Sequence, residues 1–383
     1  MKNKKLLVCA VIGALALSGC GKKAESTPDK SVQKSEVSQK TEEIIENEPE
    51  LSKAEMMLEE MTLEEKVGQM FFARFPQEDV LGQIENYHTG GYIVFGRDFE
   101  NSDPQSFRAM IDECQDASDI PMLIGVDEEG GIVVRASKYP QFRKSAFKSP
   151  QDLYAEGGIE RIAEDAREKS EFLKDLGINV NLAPVVDVST DSSNYIYGRT
   201  LGKDAQETAE YAVAVTRAMN ESGMGGVLKH FPGYGANLDT HEGKSIDSRS
   251  LEYLSENDLV PFAKAVENGA KAILVSHNVV EAFDKENPAT LSADVHKFIR
   301  NGLGFDGVIM TDDLEMGAMG EYSIEDVVVM AVKAGNDMII TSDLAVHHRA
   351  VVEAVETGEI DEKVIDDAVL KILQWKIELG IIE

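Results

Sequence analysis

Eight short apolar runs recur along most of the chain, at residues 70–75, 91–96, 121–127, 179–188, 225–231, 272–279, 307–312 and 338–342. Runs that stay apolar without alternating read as strands buried on both faces, as in a parallel sheet. Amphipathic stretches lie between them at 105–118, 161–176, 205–222, 258–268 and 324–334, and another follows at 361–379. Strands alternating with helices make βαβ units. Eight such units over about 330 residues fit a single-domain (β/α)8 barrel, of the TIM type, with insertions. A doubly wound open sheet is the alternative, but no G-x-G-x-x-G follows the first run to support it. Thr62-Leu63-Glu64-Glu65 has the form of a capping box, so a helix is expected to start there.

The polar residues gain meaning from this frame. From the third run onward, nearly every run ends in a chemically useful group: Asp127, Asp187, Lys229-His230, Ser276-His277, Asp312-Asp313 and Ser342-Asp343. Turns favour Asp and Ser, so one such end means little. A barrel gathers the C-terminal ends of its strands at one mouth, where its active site lies, and a whole series of polar ends then marks that mouth.

The most informative stretch is GGVLKHFPGYGANLDTH at 225–241. A buried strand delivers Lys229 and His230, and Phe231-Pro232-Gly233-Tyr234-Gly235 then breaks it. In the loop that follows, Asp239 and His241 stand at i and i+2, which puts both side chains on one side of an extended segment. The carboxylate would fix the imidazole tautomer and raise its proton affinity, as a proton-transferring group requires.

These motifs resemble glycoside hydrolase family 3, in its β-N-acetylhexosaminidase branch. The resemblance rests on Lys229-His230-Phe231-Pro232-Gly233, Asp239-Thr240-His241 and Thr311-Asp312-Asp313-Leu314-Glu315-Met316. It extends to VDEEGG at 126–131, NLAPVVDV at 181–188 and NPATLS at 287–292, in the expected order, and covers 52–383. It implies Asp312 as the nucleophile of a retaining glycosidase and His241, held by Asp239, as the acid/base. It implies Asp127, Arg135, Arg199, Lys229 and His230 as binders of the terminal sugar, with His277 either in the site or packed beneath it. Asp313 is expected to point to the opposite face by strand alternation, and Glu128 and Glu129 to be structural. His347-His348 is expected to be solvated. Tyr234 stands where the family usually has His, the loop to the Asp-x-His pair is one residue shorter, and Ile132 replaces a common Arg. The site is expected to be complete within one domain, without cofactor or metal.

The N-terminus reads as a processing signal. Residues 1–5 are basic, 6–17 apolar, and Leu17-Ser18-Gly19-Cys20 resembles a bacterial lipobox. Residues 1–19 would then be removed, Cys20 lipidated, and 20–51, polar and without aromatics, would form a flexible linker to the catalytic domain at 52–383. This places the protein outside the cytoplasm, on the membrane through its lipid alone. Of three cysteines only Cys114 falls in the folded part, as a small core residue. A net charge of -31 argues against nucleic-acid binding. A monomer acting on N-acetylglucosaminides or muropeptides is expected. The alternatives are a phosphorylase or β-glucosidase of the same family, and a non-catalytic glycan-binding lipoprotein.

Overall fold

The structure, a computed structural model, describes residues 51–383 apart from Leu238, His241, Glu242 and Glu321. The expected signal, Cys20 and most of the linker lie outside the described residues. Eight parallel strands form one sheet: β1 Phe71–Arg74, β2 Gly91–Val94, β3 Leu123–Val126, β4 Val180–Asn181, β5 Gly225–Phe231, β6 Ala272–Val275, β7 Val308–Thr311 and β8 Ile339–Thr341. Each strand pairs with its sequence neighbours, and β8 returns to β1 with Phe71 opposite Ile339. A further parallel bridge, Met310 to Met338, joins β7 to β8 and closes the ring into a (β/α)8 barrel. Phe72, Ile124, Leu228 and Ile309 are among the strand residues sealed from solvent. This is the burial that continuous apolar runs announce.

Every run but 225–231 is trimmed at its ends, and two fall far short as strands. In 179–188 only Val180 and Asn181 enter the ladder. Pro184 has no N–H to donate, and pairing resumes only as the bridge from Val185 to Lys229. The run at 272–279 leaves the barrel after Val275, and Val279–Val280 pairs with Ile246–Asp247 in a separate two-stranded sheet.

Helices fill the intervals, and their starts are written locally. Thr62 caps helix Leu63–Gln69 and Glu65 reaches back to it, the expected capping box. Asp204 caps Ala205–Glu221, and Ser323 caps Ile324–Ala334. Helix Pro150–Asp175 starts earlier than its amphipathic stretch and bends at Gly157 and Gly158, where the backbone leaves helical geometry. His347 and His348 are not solvated. On helix Leu344–Glu356 they are buried with Leu344, Ala350, Val351 and Ala354, at the i, i+3, i+4, i+7 spacing of a core-facing stripe. His347 bonds Thr341, and His348 bonds the carbonyl of Glu64.

Helix Glu362–Glu378 packs against Leu63–Gln69 from the start of the domain. Lys66 pairs with Glu362 and Asp366 at 2.9 and 2.8 Å. Lys376, fully buried, donates to Gln69 Oε1 at 2.7 Å, and burial pushes its ammonium down to about 7. Cys114 packs in the core, as expected.

Candidate active site

The barrel brings the strand-end groups to one cleft of about 540 Å³, whose walls include Asp127, Arg135, Arg199, Lys229, His230, Tyr234 and Asp312. They arrive from several units of the barrel. Asp127 follows β3, Lys229 and His230 end β5, and Asp312 follows β7. The ladder register of β5 shifts between Leu228 and Phe231, where the two polar side chains sit.

Lys229 is the hub on one side. Its ammonium, almost sealed from solvent, lies 2.6 Å from Asp127 Oδ1 and 2.8 Å from Glu129 Oε1. Arg199 clasps Glu129 with two bonds, Nε to Oε2 at 3.0 Å and Nη2 to Oε1 at 2.8 Å. Burial alone would raise the Glu129 carboxyl, but the Lys229 and Arg199 cations overcome it and hold the group at about 2. Burial would likewise lower the Lys229 ammonium, and the Asp127 and Glu129 charges raise it instead. Arg199 therefore serves a buried pair rather than a surface one. Arg135 sits further out, 3.9 Å from Asp127 Oδ2. Glu128 is structural as expected. It accepts from the backbone of Arg135 and Ala136 at 2.8 and 2.9 Å and fixes the turn beneath them.

The hydrogen bonds define the state of His230. Arg199 Nη2, which can only donate, lies 3.2 Å from His230 Nε2, so Nε2 accepts. The proton is then on Nδ1, which donates to Asp187 Oδ2 at 2.8 Å. The other Asp187 oxygen accepts from the backbone of Tyr234 at 2.7 Å. The Tyr234 ring stands edge-on to His230, with centroids 5.3 Å apart. Its buried hydroxyl meets Thr240 Oγ1 at 2.5 Å and accepts from Thr240 N at 3.3 Å. Ala318 N donates to Thr240 O at 3.0 Å, so Thr240 is tied to the loops after both β5 and β7. Gly233, with φ of 121°, packs where a Cβ would stand 2.6 Å from the Asp258 carboxylate. Arg249 holds that turn through Gly233 O at 3.1 Å and Asp258 at 2.8 Å.

Asp239 is half-buried beside Tyr195. Burial and the Asp239 carboxylate raise the Tyr195 phenol, against the lowering influence of Arg199. His241, the expected proton carrier, lies outside the described residues.

Across the cleft, Asp312 N donates to Val275 O at 3.2 Å, and Asp312 Oδ1 accepts from the backbone of Asp313 at 2.9 Å. Its second oxygen has no hydrogen-bond partner among the described residues. Asp313 does not point to the opposite face. The strand ends at Thr311, so alternation no longer applies, and Asp313 and Glu315 both line the cleft. Asp313 Oδ2 accepts from Ser342 Oγ at 3.0 Å, and Glu315 Oε2 accepts from Ser342 N at 2.6 Å. Burial first, and then the Asp313 carboxylate, push Glu315 up to about 8; burial would raise Asp313 too, but its hydrogen bonds with Glu315 and Ser342 keep it low. His277 packs beneath this edge, with Nδ1 3.1 Å from Thr290 Oγ1 and Nε2 3.0 Å from the carbonyl of Asp313. It supports the loop, and it is not among the residues lining the cleft.

Sequence reasoning missed two features here: Glu129 as the counter-ion of two cations, and Asp313 and Glu315 as neighbouring acids on one wall of the cleft. The runs of acids in VDEEGG and DDLE are visible in the sequence, but their partners come from other units, Lys229 for Asp127 and Glu129 and Ser342 for Asp313 and Glu315.

The family model described as the glycosyl hydrolase family 3 N terminal domain matches residues 62–375. The beta-hexosaminidase LpqI of Mycobacterium tuberculosis is 29% identical over 311 residues, which cover 78% of each chain. A beta-hexosaminidase of Nitrosomonas eutropha is 32% identical over 265 residues, 67% of this chain and 75% of its own. Among solved structures, a glycoside hydrolase family 3 beta-N-acetylglucosaminidase from a Paenibacillus species superposes with a TM-score of 0.79 at 32% identity. It covers 84% of this chain, which spans 63% of that protein. Mycobacterium tuberculosis LpqI superposes at 0.75 with 26% identity, covering 82% of this chain and 94% of its own.

Proposed function

Because this chain belongs to glycoside hydrolase family 3, we propose that it is an exo-acting, retaining β-N-acetylglucosaminidase that releases terminal N-acetylglucosamine from glycans such as peptidoglycan fragments. The reading rests on one observation: the Asp312 carboxylate shares a cleft with the hydrogen-bonding cluster of Asp127, Lys229, Arg199 and His230. Such charged donors and acceptors suit a polyhydroxylated ring, whose hydroxyls both give and accept hydrogen bonds. The relatives named beta-hexosaminidase support a hexosamine, and the solved structure named beta-N-acetylglucosaminidase supports the acetamido form.

In this reading Asp312 attacks the anomeric carbon and forms a covalent glycosyl-enzyme. The bond to the leaving oxygen breaks as His241, steadied by Asp239, gives that oxygen a proton. His241 then takes a proton from water, the water oxygen attacks the same carbon, and Asp312 leaves as carboxylate. Two inversions give net retention. Activity falls at high pH as His241 loses its proton. A basic limb that survives in His241→Gln would remove His241 from the role.

The deciding experiment is chromophore release from an aryl β-N-acetylglucosaminide by the protein and by Asp312→Ala, with and without inorganic phosphate. We expect loss of turnover in the variant and no need for phosphate. Phosphate-dependent release of a sugar phosphate would instead make the protein a phosphorylase. Equal rates in the variant would refute the nucleophile. We also place the protein outside the cytoplasmic membrane, lipidated at Cys20; fatty-acid labelling that persists in Cys20→Ala would sink that placement.

A further inference from the structure

Tyr195 opens a short 3-10 helix, Tyr195–Arg199, in the connection after β4. Ile196, next to it, is sealed in the core, while Tyr195 stays 43% exposed and lines the candidate active site. Its ring lies against Tyr234, with centroids 5.9 Å apart and the planes tilted by 49°. Tyr234 is itself tied to Thr240, the neighbour of Asp239. The hydroxyl of Tyr195 reaches two groups, hydrogen-bonding both Arg199 and the Asp239 carboxylate. A guanidinium can only donate, so the Tyr195 oxygen accepts from Arg199 and its own proton goes to Asp239.

The two partners belong to different halves of the site. Arg199 clasps Glu129 and lies 3.2 Å from His230, on the side assigned to the sugar. Asp239 stands in the loop after β5, on the side assigned to proton transfer. We propose that Tyr195 is a positioning residue for the acid/base pair: its hydroxyl, polarised by Arg199, holds the Asp239 carboxylate in the place from which it steadies His241. A carboxylate has two oxygens, so one serves the tyrosine and the other is left for the imidazole. Tyr195 exchanges no proton with the substrate in this role. The proposal rests on the glycosidase reading above and deepens it, since it names what orients the orienting acid. The other charged or titratable groups of the surroundings, among the described residues, are Glu129 behind Arg199, Asp127 with Lys229, His230 with Asp187, and Asp312 in the same cleft. None of them is removed by Tyr195→Phe, so a changed titration reports the lost hydroxyl.

The test compares kcat/KM against pH for 2,4-dinitrophenyl and phenyl β-N-acetylglucosaminides in the protein, Tyr195→Phe and Tyr154→Phe. Tyr154, whose hydroxyl donates to Glu207 at 2.7 Å away from the cleft, is the control. Dinitrophenolate leaves without a proton, whereas phenolate needs one, so only the phenyl glycoside feels a misplaced acid. In Tyr195→Phe its kcat/KM should fall about tenfold, and that of the dinitrophenyl glycoside less than about twofold. The basic limb for the phenyl glycoside should move down by about half a pH unit, as His241 loses part of the carboxylate that favours its proton. Tyr154→Phe should match the parent. Equal losses on the two glycosides would make Tyr195 a support for the sugar and overturn the proposal, and so would a basic limb unmoved or raised. If the parent cleaves neither glycoside, the glycosidase reading fails separately. NMR titration of the His241 imidazole, identified by its absence in His241→Gln, then decides. A lower midpoint in Tyr195→Phe supports the tie, and an unchanged or higher one overturns it.

Discussion

Replacing Glu129 by Gln tests how the cation cluster is held. The glutamine keeps the shape but removes the charge that answers both Lys229 and Arg199, leaving Lys229 with Asp127 alone and Arg199 without a carboxylate. The carboxyl moves from an ordinary value of 4.5 to about 2 on folding. At about 1.4 kcal/mol per unit, that shift contributes roughly 3 kcal/mol at neutral pH. The figure agrees with the ~3–5 kcal/mol typical of breaking one partner out of a buried pair. The sign is fixed by proton counting. The unfolded carboxyl binds its proton at higher pH than the folded one, so the contribution is complete above about 4.5 and is lost as pH falls towards about 2. Urea unfolding of the protein and Glu129→Gln, from pH 7 down to pH 3, reads it directly. We expect a deficit of roughly 3 kcal/mol at pH 7, a melting point lower by about 5 °C, and a deficit about half as large at pH 3. A variant as stable as the parent at pH 7, or a deficit constant across the range, would refute the counter-ion argument.

Three further expectations follow from other parts of the molecule. Tyr234→Phe strips Thr240 of its partner; about a tenfold loss in kcat with little change in KM, and about 1–2 kcal/mol of stability, are expected from steady-state kinetics and melting, and unchanged kcat would free the loop from this tie. Lys376 should make the protein gain stability as pH rises from about 7 to about 10, because the unfolded chain binds the extra proton there; Lys376→Met should lack that rise, worth on the order of 4 kcal/mol, in melting against pH. Glu315 acts in the opposite sense: its folded carboxyl keeps a proton the unfolded chain gives up, so stability declines from about pH 4.5 towards 8. Glu315→Gln should flatten that decline, and a slope that persists in the variant would place its origin elsewhere.

The barrel was legible because its strands are buried on both faces and therefore carry unbroken apolar runs. Where the runs misled, a local reason intervened. Pro184 cut β4 to its first residues, and the chain left the barrel after Val275 to pair elsewhere. His347 and His348 looked solvated from their polarity, yet their spacing with Leu344 and Val351 already described an inward stripe. That Asp127, Lys229, His230 and Asp312 would meet in one cleft was legible from the strand-end rule and the motifs around 225–231 and 311–316. Their protonation was not. Glu129 and Glu315 are the same residue type, but one is held at about 2 by two cations and the other is pushed to about 8 by burial and a neighbouring carboxylate. Only folding sets those neighbours.

The closure of the ring, with β1 paired to β8, bears on how the protein is made. By the time a ribosome has produced β5, Asp127, Glu129, Arg199 and Lys229 have all emerged, and the cation cluster has every member it needs. The partner strand of β1 and the Asp312 edge are synthesised later. Until β8 arrives, β1 and the growing end of the sheet present open edges, ready to pair with other chains. Contacts this distant in sequence form slowly. Nascent chains stalled before residue 339 should therefore be the species that chaperones hold and that aggregation claims.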